Sequence, residues 1–374
     1  MKYFILAGEA SGDLHASNLM KELKKVDQEA DFMFFGGDLM LSEGGKMLVH
    51  YRDTAYMGVT EVLSNLKKIK KNFSICYDNL LKFCPDAVIL VDYPGFNLKI
   101  AKFAKEHGFK TFYYISPKIW AWKKRRAYTI KKYIDKMFAI FPFEQKFYQQ
   151  FNYQVEYVGN PLVDEMKKKE KEFLDYQTFV QKYNLNSKPK IALVPGSRKN
   201  EIQKLLPEML KTLPEFINDY EFVVCGAPGI DETYYQEFIK DYPVKIVFSD
   251  TYNVVKNSVA AVVTSGTATL ETAFLRTPQV VVYKMNTISY LAAKALVKIK
   301  YFSLVNIIGG REIVKELLQS KLAKSISDEL KNILNKQEYR QKMLQGYDEI
   351  IAISGDGTAS KRTAEIIYNE INKK

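Results

Sequence analysis

Small residues followed by an acidic one mark the most informative loop of this chain. Residues 260–271 begin with a short apolar run, continue through Ser265, Gly266, Thr267, Ala268 and Thr269, and end at Glu271. This order is typical of a strand, a loop and a helix N-terminus, where free backbone N–H groups and the helix dipole favour a phosphate. Glu271 shares a helix face with Thr267, so its carboxylate can accept hydrogen bonds from a ribose diol. Taken alone, the stretch fits a plain turn and a solvated glutamate equally well.

Arg198 is a second candidate phosphate ligand. It follows the apolar residues 191–194 and the turn Pro195-Gly196-Ser197, and the sequence after it resembles a helix cap. We therefore expect Arg198 at the same sheet edge as the 265–267 loop, where its guanidinium could hold a diphosphate through two parallel hydrogen bonds. The alternative is a surface salt bridge.

The carboxylate candidates lie in the first half of the chain. Asp92 ends the apolar run 87–91, and ligands of open α/β sheets bind beyond the carboxyl ends of strands. A helix-cap or turn role for Asp92 is equally common. Residues 3–7 form another apolar run, followed by Gly8-Glu9-Ala10-Ser11-Gly12. The chain contains neither GxGxxG nor GxxxxGK[ST], so neither a dinucleotide fingerprint nor an ATPase loop is supported.

Alternating strands and helices must position these residues. We predict strands at 3–7, 31–35, 87–92, 110–115, 137–141 and 154–158, and then at 191–194, 221–225, 244–248, 260–264 and 279–283. Such alternation predicts parallel sheets with helices on both faces. A length of 374 residues suits two domains. The lysine-rich stretch 159–190 is interpreted as the linker, and a helix is expected directly after 309–312.

Composition narrows the partners. The net charge is +12, which indicates an anionic partner such as a phosphorylated metabolite, a nucleic acid or an anionic membrane. Three cysteines without metal-type spacing and only three histidines argue against zinc and against a disulfide scaffold. A reduced cytoplasmic compartment fits this cysteine usage. The N-terminus does not resemble a signal peptide, and no apolar stretch is as long as a membrane span.

One helix or a broken pair of helices is predicted from residue 58 to about residue 83, and this stretch could contact a membrane surface. Its apolar stripe consists of Val62, Leu66, Ile69 and Phe73, and the lysines between them are Lys67, Lys68, Lys70 and Lys71. The stripe could be core with a solvated lysine face. It could equally be an interfacial helix, with apolar residues at the acyl boundary and lysines at the headgroups.

These residues resemble a known family, the lipid A disaccharide synthases, which are inverting glycosyltransferases of the GT-B type. Ten blocks carry the resemblance in order along nearly the whole chain: AGEASGDLH (7–15), MGVTEVL (57–63), PDAVILVDYPGFN (85–97), YISPKIWAW (114–122), FPFE (141–144), VGNPL (158–162), LVPGSR (193–198), TSGTATLE (264–271), LVNIIGGRE (304–312) and VKELLQ (314–319).

The resemblance implies an activity and an architecture. UDP-2,3-diacylglucosamine would donate its sugar to lipid X (2,3-diacylglucosamine 1-phosphate), giving a β-1,6-linked disaccharide and UDP at the inner membrane of a Gram-negative bacterium. It implies two Rossmann-like domains with parallel sheets facing a central cleft. We expect an acceptor and membrane-facing domain at 1–165, to which a helix at about 350–374 returns, and a UDP-sugar-binding domain at 166–349. A homodimer is conceivable; no nucleic acid partner and no cofactor are expected.

The resemblance also assigns roles. Arg198, the 265–269 loop and Glu271 would bind UDP, with Asn306 and Arg311 facing the cleft and Gly8, Glu9, Ser11 and Gly12 lining its other wall. Stabilising the departing diphosphate in this way needs no metal, and the chain lacks the Asp-x-Asp of metal-dependent sugar-nucleotide transferases. Some members carry an acidic residue where this chain has Gly95. We therefore expect Asp92 to be the general base, with Glu9 as the alternative.

Two other classes of function remain open from the residues. A UDP-sugar epimerase of the same fold would use Arg198 and Glu271 in the same way but would not need the lysine-rich surface. A non-catalytic basic protein that binds nucleic acid or membrane would explain the charge but would leave Asp92 and the paired loops without a role.

Overall fold

The computed structural model describes residues 1–53, 66–122, 124–284, 300–318 and 321–373. The chain forms two compact units. The first unit consists of Met1–Glu165 together with Ser354–Lys374, and the second unit is Met166–Ile353.

The first unit is built on a parallel sheet. Within the described residues its strand order is β3-β2-β1-β4-β5-β6-β7. The strands are β1 Lys2–Ala7, β2 Asp31–Gly36, β3 Lys46–His50, β4 Ala87–Val91, β5 Thr111–Tyr114, β6 Lys136–Ala139 and β7 Glu156–Tyr157. The central strands are continuous apolar runs because helices cover both faces of the sheet.

The second unit repeats this plan. Its parallel sheet has the order β10-β9-β8-β11-β12-β13 in the described part of the chain. The strands are β8 Lys190–Val194, β9 Glu221–Gly226, β10 Lys245–Phe248, β11 Ser258–Thr264, β12 Gln279–Tyr283 and β13 Lys315–Leu318. In each unit the first strand lies at the centre of the sheet. The second and third strands are added on one side of it, and the fourth strand is added on the other side, where the strand order reverses, as in Rossmann-like folds. The predicted fold class is confirmed.

The helices connect successive strands. Those described are α1 Ala10–Val26, α2 Asp38–Ser42, α3 Leu66–Phe83, α4 Pro94–Glu106, α5 Ile119–Trp122, α6 Arg126–Tyr133, α7 Pro142–Gln149, α8 Pro161–Lys169, α9 Tyr176–Lys182, α10 Lys199–Leu210, α11 Glu232–Ile239, α12 Thr251–Lys256, α13 Thr267–Phe274, α14 Leu304–Gly309, α15 Leu322–Asn335, α16 Gln337–Ile353 and α17 Ala359–Asn372. Short 3-10 helices lie at Tyr51–Asp53, Glu170–Glu172 and Leu213–Glu215.

The last helix belongs to the first unit. Helix α17 packs against α1, and its buried residues Ala359, Ala364 and Ile367 join the core formed by β1 and α1. The carboxylate of Asp164 fixes the start of α17 because it accepts hydrogen bonds from the backbone N–H groups of Ala359 (3.0 Å) and Ser360 (2.8 Å). Orphan N–H groups at the helix N-terminus are thereby satisfied by a side chain far away in sequence.

The structure corrects three details of the sequence-based prediction. Strand β3 was not predicted, and β13 stands where a helix was expected after 309–312. The stretch 159–190 is largely helical, since it holds α8, the 3-10 helix Glu170–Glu172 and α9. Among the described residues, none of the helices combines the length and apolarity needed to cross a bilayer.

Candidate active site

Two loops meet at the point where the first sheet reverses direction. Strand β1 pairs with β2 on one side and with β4 on the other. The segment Gly8–Ser11 follows β1, and Asp92 follows β4, so both lie at the carboxyl edge of adjacent strands. Parallel sheets bind ligands at this position.

The backbone at Asp92 adopts an unusual conformation. Asp92 (φ 43°) and Tyr93 (φ 48°) both occupy the left-handed region of backbone conformation, which residues other than glycine seldom adopt. Two side chains hold the carbonyl oxygen of Asp92 in this bend. The Asn97 amide donates to it at 2.8 Å, and the Tyr113 hydroxyl donates to it as well. Strain that is held by surrounding contacts is typical of functional sites.

The Asp92 carboxyl has the electrostatics of a base. Burial raises its pKa to about 6, and the charge of Glu9 adds to this rise. The positive charge of Lys118 and the backbone N–H of Tyr93 act in the opposite direction. A group with this pKa is ionised at neutral pH but still holds a proton better than an ordinary aspartate, as general base catalysis requires.

The Gly8–Gly12 loop lies against Tyr93. A Cβ atom at Gly8 would stand only 2.4 Å from the Tyr93 ring, so this position requires glycine. Glu9 is partly exposed, Ser11 is exposed and Gly12 is buried. The structure thus places Gly8 against Tyr93 and Glu9 near the Asp92 carboxyl, while Gly12 packs against Ala7 and Ser11 faces solvent.

The neighbouring Asp13 has a structural role. Its carboxylate accepts hydrogen bonds from the backbone N–H groups of Gly37 (2.7 Å), Leu39 (3.1 Å) and Met40 (3.1 Å). It therefore caps α2.

In the second unit, Arg198 and the 265–267 loop also follow two adjacent strands at the reversal of the sheet. Strand β8 pairs with β11, with Val194 opposite Val263. The segments that follow both strands are therefore neighbours, about 5 Å apart at the strand ends. The Arg198 side chain is 57% exposed, and its guanidinium forms an ion pair with Glu201 at 3.6 Å.

Glu201 also shapes the turn before Arg198. Its carboxylate accepts the backbone N–H of Ser197 at 3.1 Å. Gly196 has φ +113°, and a Cβ atom there would stand 2.4 Å from the Glu201 carboxylate. Only glycine fits this turn, which presents the Arg198 side chain to solvent.

The N-terminus of α13 is open. Gly266 and Thr267 are exposed, and no group of the described residues accepts a hydrogen bond from the backbone N–H of Gly266, Thr267 or Ala268. The hydroxyls of Ser265 and Thr269 donate to the carbonyls of Phe302 (3.3 Å) and Gly266 (2.8 Å). The loop therefore offers backbone donors to an anion, while these two hydroxyls stabilise the loop itself.

Glu271 lies one turn further along α13 and is partly buried. Burial raises the pKa of its carboxyl to about 7, while the positive charge of Lys169 and a hydrogen bond from the Tyr252 side chain lower it. The Lys169 ammonium also lies 4.9 Å from the centre of the Tyr252 ring. The sequence analysis did not identify the neighbours of these two carboxyls, because tertiary contacts bring them together and their spacing in the sequence gives no indication of it. These neighbours are Lys118, Asn97 and Tyr113 around Asp92, and Lys169 and Tyr252 around Glu271.

Two expected ligand contacts have other roles in this structure. Asn306 is fully buried. Its amide donates to the carbonyl of Val314 and to the Glu316 carboxylate, both at 2.8 Å, and its oxygen accepts the backbone N–H groups of Ile313 (2.7 Å) and Val314 (3.0 Å). All hydrogen-bonding groups of this side-chain amide are therefore used in joining α14 to the segment 313–316, and its role towards a ligand stays a prediction. Arg311 is exposed and forms a 2.6 Å ion pair with Glu349.

Helix α3 carries most of the residues that the sequence analysis proposed as a membrane-contacting surface. Leu66 is 46% exposed, Ile69 is partly exposed, and the four lysines Lys67, Lys68, Lys70 and Lys71 are all exposed. Phe73 is partly buried and its ring stacks on Phe96 of α4 at 4.3 Å, so it contributes to packing. Val62 lies outside the described residues.

Neither unit supplies a preformed metal centre in its described residues: no group of three or more His, Cys, Asp or Glu side chains there could hold an ion.

At Gly95, a Cβ atom would meet no other atom within 4 Å. The space beside Gly95, three residues after Asp92, is thus open.

Comparison with known proteins adds to this geometry. Residues 3–367 match the family described as Lipid-A-disaccharide synthetase. A relative from Syntrophus aciditrophicus named Lipid-A-disaccharide synthase is 37% identical over 376 residues, covering 99% of this chain and 97% of the relative. One of the same name from Myxococcus xanthus is 35% identical, covering 98% of this chain and 96% of the relative.

Solved structures with the same fold carry other names. A putative UDP-N-acetylglucosamine 2-epimerase from Listeria monocytogenes has a TM-score of 0.70 and 13% identity, covering 100% of this chain and 97% of its own. UDP-GlcNAc 2-epimerase from Neisseria meningitidis, bound to UDP-GlcNAc, has a TM-score of 0.66 and 15% identity, covering 99% and 100%. At such identities the likeness concerns the fold alone.

Proposed function

The chain belongs to the lipid-A-disaccharide synthetase family and is a glycosyltransferase of lipid A biosynthesis, and we propose that it transfers diacylglucosamine from UDP-2,3-diacylglucosamine to lipid X. The product is the β-1,6-linked disaccharide 1-phosphate, and UDP leaves. The observation that carries this proposal is the place of Asp92 at the carboxyl edge of the first sheet, on a left-handed bend held by Asn97 and Tyr113. Burial also raises the pKa of its carboxyl.

In the proposed reaction, Asp92 accepts the proton of the acceptor 6′-hydroxyl while that oxygen attacks the anomeric carbon of the donor. The bond between this carbon and the diphosphate oxygen breaks, and its electron pair leaves with UDP. Attack from the side opposite the leaving group inverts the anomeric configuration. Glu9 remains the alternative base because its charge reaches the Asp92 carboxyl.

The second unit supplies the groups that suit the nucleotide. Arg198 is exposed beside the open N-terminus of α13, so a guanidinium and several backbone N–H groups are available to a diphosphate. Such donors stabilise the charge that develops as UDP departs, without a metal. Glu271 accepts hydrogen bonds from the ribose hydroxyls. Proximity to Lys169 helps it to do so as a carboxylate.

The acyl chains of both substrates require access to a membrane. We place the enzyme in the cytoplasm, peripherally on the inner membrane, with the exposed apolar and cationic residues of α3 against the lipid. The first unit then handles the acceptor and the second handles the UDP-sugar. A homodimer is compatible with this arrangement.

Acceptor dependence tests the function. Purified protein is incubated with UDP-2,3-diacylglucosamine, with and without lipid X, and UDP and the disaccharide are quantified. We expect stoichiometric UDP and disaccharide only when the acceptor is present. UDP-sugar isomerisation without acceptor would indicate an epimerase, and binding without turnover of either kind would indicate a non-catalytic protein.

A further inference from the structure

A groove of about 550 Å³ runs along the outer face of α4, between α3 and α6. Its apolar lining comes from Tyr77 of α3, Leu98 and Phe103 of α4, and Tyr133 of α6. Tyr77 and Phe103 stack with their ring centres 4.1 Å apart, which gives the groove a continuous aromatic wall. Grooves of this volume accommodate small ligands rather than a macromolecular partner.

Three cations stand at the same groove. Lys99 and Lys102 are exposed on α4, and Arg126 begins α6. Lys102 has one carboxylate neighbour, Glu106 at 3.8 Å, whereas no carboxylate of the described residues forms an ion pair with Lys99 or Arg126. The groove therefore carries excess positive charge over an aromatic wall, which matches a ligand with an anionic group and an apolar body.

The groove reaches the neighbourhood of Asp92. Pro94 and Gly95, which follow Asp92 and Tyr93, form part of its lining. Arg126 lies close enough to the Tyr113 hydroxyl to influence its ionisation, and that hydroxyl donates to the Asp92 carbonyl. A ligand in the groove would thus extend from the cations to the carboxylate that we propose as the base.

The groove also continues towards the exposed part of α3. The Lys99 ammonium lies 5.2 Å from the centre of the Phe73 ring, and Phe73 precedes Tyr77 by one helical turn. An acyl chain entering from a membrane at Leu66 and Ile69 would therefore pass Phe73 and Lys99 before it reached the aromatic wall.

We propose that this groove is the binding site of the phosphorylated acyl-sugar acceptor, with its phosphate held by Arg126, Lys99 and Lys102 and an acyl chain against Tyr77 and Phe103. This inference rests on the proposed function, because it names the residues that would hold the second substrate of the same reaction. It concerns the acceptor alone, since the residues proposed for the nucleotide belong to the second unit.

The test compares two double variants in detergent micelles, where no bilayer takes part. The groove variant is Lys99→Met/Arg126→Met. The control is Lys82→Met/Arg125→Met, which removes the same charges from exposed positions on α3 and beside α6 that do not line the groove. Each variant is assayed with lipid X and with its dephosphorylated analogue, and UDP binding is measured separately.

For the groove variant we expect the KM for lipid X to rise at least about tenfold, since charge-assisted hydrogen bonds to phosphate are lost. We also expect the preference for lipid X over the dephosphorylated analogue to disappear, while UDP affinity stays unchanged. The control should keep the parental KM and preference. Thermal unfolding confirms that both variants are folded; should the groove variant not fold, Lys102→Met against Lys82→Met makes the same comparison.

Two outcomes would overturn the inference. The groove variant could keep the parental KM and preference in micelles and also bind anionic vesicles normally in a separate sedimentation assay. It could instead keep both kinetic properties but lose vesicle binding, in which case the cations serve membrane phospholipid. Either result leaves the proposed function intact as long as the parent protein makes disaccharide. If the parent shows no acceptor-dependent UDP release, the proposed function itself fails, and the two failures are distinguished.

Discussion

The Tyr113 hydroxyl donates a hydrogen bond to the backbone carbonyl of Asp92, the same oxygen to which the Asn97 amide donates. This contact joins β5 to the left-handed bend that ends β4. It fixes the backbone from which the Asp92 side chain projects, so the direction of the carboxylate depends on a buried phenol in the next strand. Tyr113 is thus a positioning residue for the proposed base.

Removing that hydroxyl tests the relationship. Tyr113→Phe keeps the ring but loses one hydrogen bond, worth about 0.5–1.5 kcal/mol, so we expect kcat to fall about two- to tenfold. UDP affinity should not change. The matched control is Tyr3→Phe, whose hydroxyl donates to Asp27 at 3.0 Å near the opposite end of the sheet. Equal kcat values in the two variants would show that the hydroxyl of Tyr113 does not position the base.

The second prediction concerns Asp92 and pH. A base must be ionised, so kcat should fall as the pH drops through about 6, the pKa of the Asp92 carboxyl. Asp92→Asn should abolish this dependence and lower kcat by about 10²–10⁴. The measurement is the pH–rate profile of parent and variant, with Glu9→Gln as the comparison. High residual activity in Asp92→Asn together with an inactive Glu9→Gln would exchange the two roles.

The stability of the folded protein should depend on pH in the opposite sense to kcat. The folded-state pKa of Asp92 lies above the ordinary value of 3.8, so ionisation lowers the free energy of unfolding as the pH rises from about 4 to about 6. Asp92→Asn removes this effect and should therefore raise the melting temperature at pH 7 but not at pH 3. Calorimetry at the two pH values measures the difference.

The third prediction concerns the nucleotide. Arg198→Ala removes a charge-assisted contact, typically about 1.5–3 kcal/mol, so UDP affinity and turnover should both fall at least about tenfold. Lys204→Ala, on the same helix α10, is the control because it removes a cation away from the turn. Near-parental UDP affinity in Arg198→Ala, measured by calorimetric titration, would contradict the assignment.

The fourth prediction is that turnover persists in excess chelator. Arg198 and the open N-terminus of α13 supply the positive charge that a metal would otherwise bring to the diphosphate. The initial rate should be the same with EDTA and with added magnesium. Complete loss of activity in EDTA, restored by magnesium or manganese, would mean that these donors are insufficient.

The fifth prediction concerns the membrane. Leu66→Ser/Ile69→Ser and a variant with Lys67, Lys68, Lys70 and Lys71 neutralised should both sediment less with anionic vesicles. Binding of the serine variant should depend more strongly on salt, because only its remaining ionic contribution is screened. Phe73 is left intact because it packs on Phe96.

The apolar control for this experiment is Leu39→Ser/Leu41→Ser, which changes side chains on α2 that are 46% and 45% exposed. Parental vesicle binding by both α3 variants would show that this helix is an ordinary packed element with a solvated face.

Burial explains which elements could be predicted from the sequence. Strands such as Ala87–Val91 and Ser258–Thr264 are covered on both faces, so they appear as apolar runs without polar interruptions. Strands Lys46–His50 and Lys315–Leu318 lie at sheet edges and are only partly buried. Their sequences therefore lack such a run, and both were missed.

The candidate site divides in the same way. Loop residues such as Gly8, Arg198 and Gly266 are recognisable because each lies in the short segment that follows an apolar strand. Asn97 and Tyr113 contact Asp92 from a helix and a neighbouring strand, and only tertiary structure creates these contacts. The sequence block around Asn306 is also recognisable, but the hydrogen bonds that its amide forms with Ile313 and Val314 could not be predicted from it.

The return of α17 to the first unit has a consequence for biosynthesis. The core of the first unit consists of residues before 159 together with Ala359, Ala364 and Ile367 of α17. The Asp164 carboxylate likewise has its hydrogen-bond donors in α17, the N–H groups of Ala359 and Ser360. On the ribosome, the first unit can collapse early but cannot close its core until Ser354–Asn372 has emerged. At common translation rates this delay lasts roughly 10–40 s. During this time the apolar face of α1 is exposed and available for a chaperone to bind.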